Sequence, residues 1–164
     1  MKLGVLSDTH NNLTNLQKAL RVFRQASVET VLHCGDLTDL QMGLQLVEFR
    51  VICTFGNNDW NANEICQNLL AYGSNNFGGM IFRGEVGGVK IAATHGHLSE
   101  VRENLAISGE FSFVFFGHSH RQSDEWVGIT RVINPGALGG AHYESRSFVI
   151  LDLISGKPDF HTLD

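Results

Sequence analysis

The chain has 164 residues, of which 43% are hydrophobic and 18% charged, and its 12 Lys and Arg against 17 Asp and Glu give a net charge of −5. This composition excludes a disordered or collagen-like chain, and we expect residues 1–164 to form a single domain with a sizeable core. The acidic balance argues against nucleic acid and anionic membranes as partners, and no apolar stretch approaches the ~18 residues of a membrane span.

The cysteines and the N-terminus indicate the compartment. Cys34, Cys53 and Cys66 are an odd number without a Cys-x-x-Cys pair, which supports neither a disulfide framework nor a Cys-rich zinc site. The apolar run after Met1 turns polar at Ser7, too early for a signal peptide. We therefore expect a reducing, cytoplasmic setting.

The first half of the sequence alternates short apolar runs with segments of helical periodicity. The apolar runs predict strands at 3–6, 30–33 and 51–55, and the leucine spacing predicts helices at 12–25 and from Leu40 to Val47. This βαβαβ order predicts a parallel sheet.

The second half contains shorter segments separated by glycine. It predicts a helix at 62–71, a turn or loop at 73–79, strands at 80–83 and 89–94, a helix near 99–107, and strands at 111–116, 124–128, 130–133, 146–152 and 158–162. Glycine pairs such as Gly87-Gly88 favour antiparallel hairpins. An α/β fold with two packed sheets flanked by helices accommodates both halves.

Polar residues cluster where the predicted strands end. The clusters are Asp8-Thr9-His10, Gly35-Asp36, Gly56-Asn57-Asn58-Asp59, His95-Gly96-His97 and Gly117-His118-Ser119-His120. Ligands of open parallel sheets bind at the carboxyl ends of the strands, so we expect these side chains at one rim. Mixed oxygen and nitrogen donors suit Mn²⁺, Fe or Zn²⁺ better than Ca²⁺. The glycines beside them, drawn from an excess of 18 in the chain, permit sharp reversals and close backbone approach.

These clusters, in this order, resemble the calcineurin-like metallophosphoesterase family, whose pattern is D-x-H, G-D-x-x-D, G-N-H-[DE], a later H, and G-H-x-H. The resemblance covers residues 5–120, and the Asn134-Pro135-Gly136 turn with Arg146 beyond it extends it nearly to the end. The short length resembles the small bacterial and archaeal phosphodiesterase branch, which includes a eukaryotic retromer subunit that uses the fold for protein binding. The resemblance implies a four-layer α-β-β-α sandwich with two packed mixed β-sheets.

The resemblance also implies a site for two divalent metal ions, with Mn²⁺ favoured and Fe, Zn²⁺ or Ni²⁺ as alternatives. The ligands of one ion would be Asp8, His10, Asp36 and His120, and those of the other Asp36, Asn57, His95 and His118. Asp36 would bridge the two ions because the two oxygens of one carboxylate can each engage one cation.

The same pattern gives a second role to Asn57 and roles to three further residues. Asn57 would also turn its amide NH₂ toward a phosphate oxygen, and His97 would contact that phosphate or shuttle a proton. Asp39 and Asp59 would orient neighbouring groups or cap a helix. The family histidine that assists the leaving group is replaced by Asn58, whose amide cannot act as a general acid, so His97 or water would have to substitute.

The implied activity is a two-metal-dependent phosphodiesterase, a hydrolase in which a hydroxide bridging the ions attacks a small phosphate ester. Two alternatives stay open. One is a non-catalytic protein-interaction module like the retromer subunit, and the other is a phosphomonoesterase or nuclease with the same metal site. Asn58 argues against efficient monoesterase action, and the negative charge argues against a long DNA track. A homodimer also stays open.

Structural interpretations compete at several positions. Asp8 alone could cap the helix that follows it, and Trp60 and Trp126 are assigned to packing rather than to the border of a substrate cleft. Phenylalanines within 111–116 are assigned to a core strand. Three histidines outside the pattern are assigned to structural or surface positions: His33, His142 and His161.

Overall fold

A computed structural model of the protein describes residues 1–163. Within these residues the elements follow in the order β1 (Lys2–Leu6), α1 (Leu13–Gln25), β2 (Thr30–His33), α2 (Leu40–Leu44), β3 (Arg50–Thr54), α3 (Ala62–Tyr72), β4 (Phe77–Gly79), β5 (Ile81–Val86), β6 (Val89–Thr94), α4 (Ser99–Ile107), β7 (Phe113–Phe115), β8 (Gln122–Val127), β9 (Thr130–Pro135), β10 (Arg146–Asp152) and β11 (Lys157–Leu163).

The strands form two mixed sheets. The first has the order β11-β10-β1-β2-β3-β4, in which β1 to β4 are parallel and β10 is antiparallel to β1 and β11. The second has the order β5-β6-β7-β9-β8, in which β6, β7 and β9 are parallel and β5 and β8 are antiparallel edges. The Gly87-Gly88 turn joins β5 and β6 as the antiparallel hairpin that the sequence predicts.

Alternation along β1 divides the interior into layers. Leu3 and Val5 belong to the core between the sheets, whereas Leu6 belongs to the core beneath α1 and α3. Gly4 also faces α1, because a Cβ there would lie 2.6 Å from the ring of Phe23. A third core lies under α4 on the outer face of the second sheet. The molecule is therefore a four-layer α-β-β-α sandwich, which confirms the predicted fold class.

Two element predictions from the sequence are wrong. The stretch 73–79 contains a strand, because Phe77 to Gly79 pair in parallel with β3. Glycine is a poor strand former, which concealed this strand, but Gly78 lets α3 pack closely: a Cβ there would lie 2.9 Å from Cys66 Sγ. The second helix ends at Leu44 instead of Val47.

The structure also decides several exposed and buried positions. The phenylalanines at 111, 113, 115 and 116 are buried, as predicted. Assigning the two tryptophans to packing is wrong, since Trp60 is 89% exposed and Trp126 is 65% exposed.

None of the helices within residues 1–163 is long and apolar enough to cross a membrane. All three cysteines are free thiols.

Candidate metal centre

Hydrogen bonds join the strand ends within each sheet, and the bond from His118 N, after β7, to Asp8 Oδ2, after β1 (3.0 Å), links the two sheets into one rim. The loop after β1 is tied to the loop after β2, because Asp8 N donates to the carbonyl of Gly35 (2.9 Å) and His10 N to that of Asp36 (3.1 Å). In the second sheet, Gly117 N after β7 donates to the carbonyl of His95 after β6 (2.8 Å). The polar clusters of the sequence therefore meet in space.

Several of the predicted ligands have a left-handed backbone. Non-glycine residues rarely adopt positive φ, at a cost of about 1–2 kcal/mol each, and such strain gathers at functional sites. Positive φ angles of 44° to 66° occur at Asp8, His10, Asp36, His118 and His120. The strand ends are therefore bent to aim these side chains at the rim rather than to continue the sheet.

Asp8 is held through one of its two carboxylate oxygens. Its Oδ2 accepts from Ser7 Oγ (2.6 Å) and from the backbone N of His118 (3.0 Å), while the buried Oδ1 accepts no hydrogen bond from any group within residues 1–163. Oδ1 lies 3.2 Å from His120 Nε2 and 3.8 Å from His10 Nε2. Asn12 caps α1 by accepting from Asn15 N, so a capping role for Asp8 is wrong.

Asp36 lies between two histidines. Its Oδ2 is 3.5 Å from His10 Nε2 and 3.5 Å from His95 Nε2. Asn58 fixes the carboxylate with two hydrogen bonds, from its backbone N to Oδ1 (3.0 Å) and from its side-chain Nδ2 to Oδ2 (2.7 Å). Asn58, which stands where the family pattern has a histidine, thus orients the central carboxylate.

Backbone carbonyls set the tautomers of two imidazoles. His95 Nδ1 donates to the carbonyl of Cys34 (2.8 Å), and His120 Nδ1 donates to that of Ala141 (2.9 Å). Because a carbonyl can only accept, each neutral ring carries its proton on Nδ1 and presents the Nε2 lone pair to the rim. Carbonyl-oriented imidazoles of this kind are typical of metal-binding histidines.

Asp59 anchors the loops beneath the rim. Its Oδ2 accepts from the backbone N of Asp36 (2.8 Å) and Gly56 (2.7 Å), and its Oδ1 accepts from Thr38 N (2.7 Å). Burial raises the pKa of this carboxyl, against the lowering effect of the three N–H groups. Asp39 acts elsewhere, since its carboxylate accepts from Gln41 N (2.6 Å) as the cap of α2.

Three predicted site residues lie at the outer side of the rim. The rings of His97 and His118 are 5.5 Å and 5.1 Å from that of His95 between centroids. His97 Nδ1 is buried and has no hydrogen-bond partner among residues 1–163, whereas His118 is exposed. Asn57 is also exposed, and no hydrogen bond of its side chain fixes it at the rim within residues 1–163; its roles as ligand and phosphate contact stay predictions.

The residues present fit divalent ions. In the described part of the chain, three predicted ligands have a buried atom without a hydrogen-bond partner, a costly arrangement unless a cation is to bind there: Asp8 Oδ1, His10 Nε2 and His95 Nε2. Two groups have ligand atoms that all lie within 4.8 Å of one another: Asp8, His10 and His120, and Asp8, Asp36 and His95. Imidazole nitrogens with carboxylate oxygens suit Mn²⁺, Fe or Zn²⁺.

The pKa shifts at the rim follow from this crowding. Burial raises the pKa of Asp36, but contacts with His95 and Asn58 outweigh it, so this pKa lies below its usual range. Burial lowers the pKa of His95, yet Asp36 and Asp8 bring it above its usual value. The contact with Asp8 raises the pKa of His120 despite burial. Both carboxylates thus favour positive charge nearby.

Close packing at two glycines protects the geometry. A Cβ at Gly56 would collide with Asp36 Oδ1, and one at Gly140 would lie 2.6 Å from His120 Cε1. Gly140 has φ of +65°, a conformation that favours glycine. Gly56 stands beside a predicted ligand in the sequence, but Gly140 gave no signal, because it belongs to none of the quoted motifs and meets His120 only in the folded chain.

Two residues that the sequence did not assign to the site support the rim. Asn134 Nδ2 donates to the carbonyl of Gly117 (2.8 Å) and to Ser119 Oγ (3.0 Å), which holds the G-H-S-H loop. His33, assigned to a structural position, is fully buried and pairs through Nε2 with Thr9 Oγ1 (2.8 Å). The Asn-Pro-Gly turn was a visible signal for the first; nothing local indicated the second.

Known proteins share this architecture. The calcineurin-like phosphoesterase superfamily domain matches residues 1–156. Phosphodiesterase MJ0936 of Methanocaldococcus jannaschii is 36% identical over 142 residues, which cover 85% of this chain and 86% of that protein. The probable metallophosphoesterase YsnB of Bacillus subtilis is 28% identical over 144 residues, covering 84% of this chain and 75% of that protein.

A solved structure of an archaeal phosphodiesterase superimposes with a TM-score of 0.93 at 33% identity and covers 99% of this chain and all of that one. The match thus includes both sheets and every strand end that contributes to the rim. The chain belongs to the calcineurin-like phosphoesterase superfamily and is a metal-dependent phosphoesterase.

Proposed function

We propose that the protein hydrolyses small phosphate diesters with two divalent ions at the rim. The observation that carries this is the position of Asp36, whose Oδ2 lies 3.5 Å from a histidine on either side. A carboxylate between two sets of imidazoles is suited to bridge two cations. The 36% identity to a phosphodiesterase supports the diester class.

The chain's residues divide between the two ions. One ion would take Asp8, His10, Asp36 and His120, and the other Asp36, Asn57, His95 and His118. Bound ions would supply a hydroxide nucleophile near neutral pH and would offset the charge of the phosphoryl oxygens. The protein contributes orientation, because the carbonyls of Cys34 and Ala141 hold two of the rings.

The leaving group limits the substrates. The Asn58 amide already donates to Asp36 Oδ2, so it provides no proton for a departing alkoxide. Burial and the neighbouring imidazole of His95 lower the pKa of His97, which favours the neutral ring at neutral pH; a neutral ring can contact a phosphate oxygen through its N–H but is a poor general acid. We expect faster turnover of diesters with acidic leaving groups than of alkyl phosphates.

Three further expectations accompany this proposal. Mn²⁺ is the metal that the family resemblance favours, and Fe, Zn²⁺ or Ni²⁺ stay alternatives, because nitrogen and oxygen donors without a thiolate suit several of these ions. The absence of disulfides among the three cysteines supports a reducing, cytoplasmic setting. Residues 1–164 would act as one domain, which the core shared by both sheets supports.

Hydrolysis of bis-p-nitrophenyl phosphate by chelated protein given Mn²⁺ tests the proposal. We expect activity only with metal, and turnover that exceeds that of p-nitrophenyl phosphate. Asp36→Asn should abolish it without unfolding the protein. Asp39→Asn is the matched control, because Asn caps α2 as well as Asp does and Asp39 binds Gln41 instead of the rim.

Metal-replete protein that cleaves neither ester would refute the hydrolytic proposal. Asp36→Asn protein with wild-type turnover would refute the bridging role alone. A preference for the monoester would favour the phosphomonoesterase alternative, and cleavage of DNA above the small diester would favour the nuclease.

A further inference from the structure

Arg146, the first residue of β10, binds three successive backbone carbonyls next to the rim. Its Nη1 donates to the carbonyls of Gly139 (2.5 Å) and Ala141 (3.2 Å), and its Nη2 donates to that of Gly140 (2.9 Å). A guanidinium has a rigid fork of donors, and charge-assisted hydrogen bonds are roughly twice as strong as neutral ones. One side chain therefore fixes the segment 139–141.

This segment contacts the candidate metal centre directly. The Ala141 carbonyl that Arg146 holds is the acceptor of His120 Nδ1. Gly140 lies against the rings of both His10 and His120. The chain of contacts runs from the guanidinium through a carbonyl to an imidazole whose other nitrogen lies 3.2 Å from Asp8 Oδ1.

Within residues 1–163, the other hydrogen bonds that hold this segment lie at its beginning. Leu138 N donates to the carbonyl of Ser7 (3.1 Å), Gly139 N donates to that of Asp8 (2.8 Å), and Asn15 Nδ2 donates to that of Leu138 (2.7 Å). For Ala141, which is exposed, the hydrogen bonds described for its carbonyl come from His120 and Arg146. Without the guanidinium, the acceptor of His120 would lie in an unsupported loop.

The corresponding acceptor of His95 needs no such support. It is the carbonyl of Cys34, a fully buried residue at the end of β2 whose N–H donates to Leu6 (2.8 Å) in the sheet. The two carbonyl-held imidazoles therefore differ: the sheet fixes the His95 acceptor, and a side chain fixes the His120 acceptor.

We infer that Arg146 is a positioning residue for the metal ion beside His120, and that it acts through Ala141 without touching the ion. The inference rests on the proposed function, since it assigns His120 to one of two metal sites. Groups that orient metal ligands typically contribute 10–100-fold to metal affinity. Loss of the guanidinium should weaken the ion beside His120 and spare the ion beside His95.

Calorimetric titration of chelated protein with Mn²⁺ tests this, because it measures the metal affinity of each site without relying on catalytic turnover. Arg146→Met keeps the length and apolar stem of the side chain, and we expect it to lower the affinity of one of the two sites by ~10-fold. Arg146→Lys retains a donor without the fork and should restore part of that affinity.

Arg131→Met is the matched control. Arg131 is also half-buried and donates to a loop carbonyl, that of Gly156 (2.8 Å), but it lies beside Trp126 and Asp124. It should leave both affinities at the wild-type value. The visible spectrum of protein loaded with Co²⁺ gives a second readout, since a reoriented imidazole changes its ligand-field bands.

The outcomes separate this inference from the proposed function. Equal weakening of both sites in Arg146→Met, or wild-type affinity at both, would refute the positioning role while leaving the two-metal proposal intact. Wild-type protein that binds fewer than two Mn²⁺ ions would refute the two-metal proposal and this inference with it. If Arg146→Met does not fold, Arg146→Lys decides the question. Wild-type Mn²⁺ affinities at both sites of that variant, together with an unchanged Co²⁺ spectrum, would also refute the inference.

Discussion

Replacing Asp59 with Asn tests whether one buried carboxylate holds the loops beneath the rim. Asp59 is 7% exposed, and its two oxygens accept three backbone N–H groups at 2.7 to 2.8 Å. The amide keeps the shape but replaces one oxygen with NH₂, which cannot accept. If the amide oxygen takes the position that serves Asp36 and Gly56, the N–H of Thr38 is left facing another donor.

The magnitude follows from these contacts. An unmet buried donor costs about 1–3 kcal/mol, and the two remaining hydrogen bonds lose their charge assistance, which roughly halves their strength. We expect Asp59→Asn to lower the free energy of unfolding by about 2–4 kcal/mol. For a chain of this size, that corresponds to a fall in Tm on the order of 10 °C.

Urea denaturation of chelated protein measures the effect, with Asp39→Asn as the control. That control makes the same chemical change at a helix cap, where Asn serves as well as Asp, so we expect a change below about 0.5 kcal/mol. Burial already raises the pKa of Asp59, which means that its charge carries a desolvation cost. If Asp59→Asn is as stable as wild type, that cost cancels the three hydrogen bonds and the reasoning is refuted.

Three other predictions concern pH, steric fit and metal. Burial lowers the pKa of His33 to about 3 from the model-peptide value of 6.5. The stability that depends on its neutral form is therefore complete above pH 6.5 and falls with pH, by about 2 kcal/mol at pH 5. In urea denaturation, the free energy of unfolding of His33→Asn should fall correspondingly less between pH 7 and pH 5 than that of wild type. Gly128→Ala should cost about 1–2 kcal/mol, because this glycine has a positive φ and open space around it, and it should leave Mn²⁺ affinity unchanged. Gly140→Ala should cost more, because its Cβ would also meet the rings of His10 and His120, and it should lower Mn²⁺ affinity measured by calorimetry. Excess Mn²⁺ should raise the Tm of chelated wild-type protein, because an ion at 100 times its Kd adds about 2.7 kcal/mol to the free energy of unfolding. An equal rise in Asp36→Asn would contradict the bridging role.

The sequence predicted the parts of the fold that local pattern encodes. Apolar runs located β1, β2 and β3, and the turn at Gly87-Gly88 located the hairpin of β5 and β6. It failed at β4, whose residues become a strand only through pairing with β3 and contact with Cys66. Tertiary pairing, rather than propensity, decides such a segment.

The candidate site shows the same division. Short motifs contain Asp8, Asp36 and His95 because the end of a strand supplies each one, and parallel strands deliver their ends to one rim. The contacts of Gly140 and Arg146 could not be read in this way, since each depends on a loop that returns to the rim far along the chain. Their roles are defined by spatial contacts and not by spacing.

The carboxylates at the rim have histidines as their ion-pair partners, which argues for a cation site rather than a structural ion-pair network. Asp8 and Asp36 are 0% and 2% exposed, and in the described part of the chain their ion-pair partners are histidines rather than lysine or arginine. A lysine or arginine would neutralise a buried carboxylate permanently and would exclude a cation from its oxygens. An imidazole can instead release its proton and offer a lone pair, so the groups that balance the carboxylates can themselves become ligands. Arg146, which lies beside the rim, binds backbone carbonyls and leaves both carboxylates open.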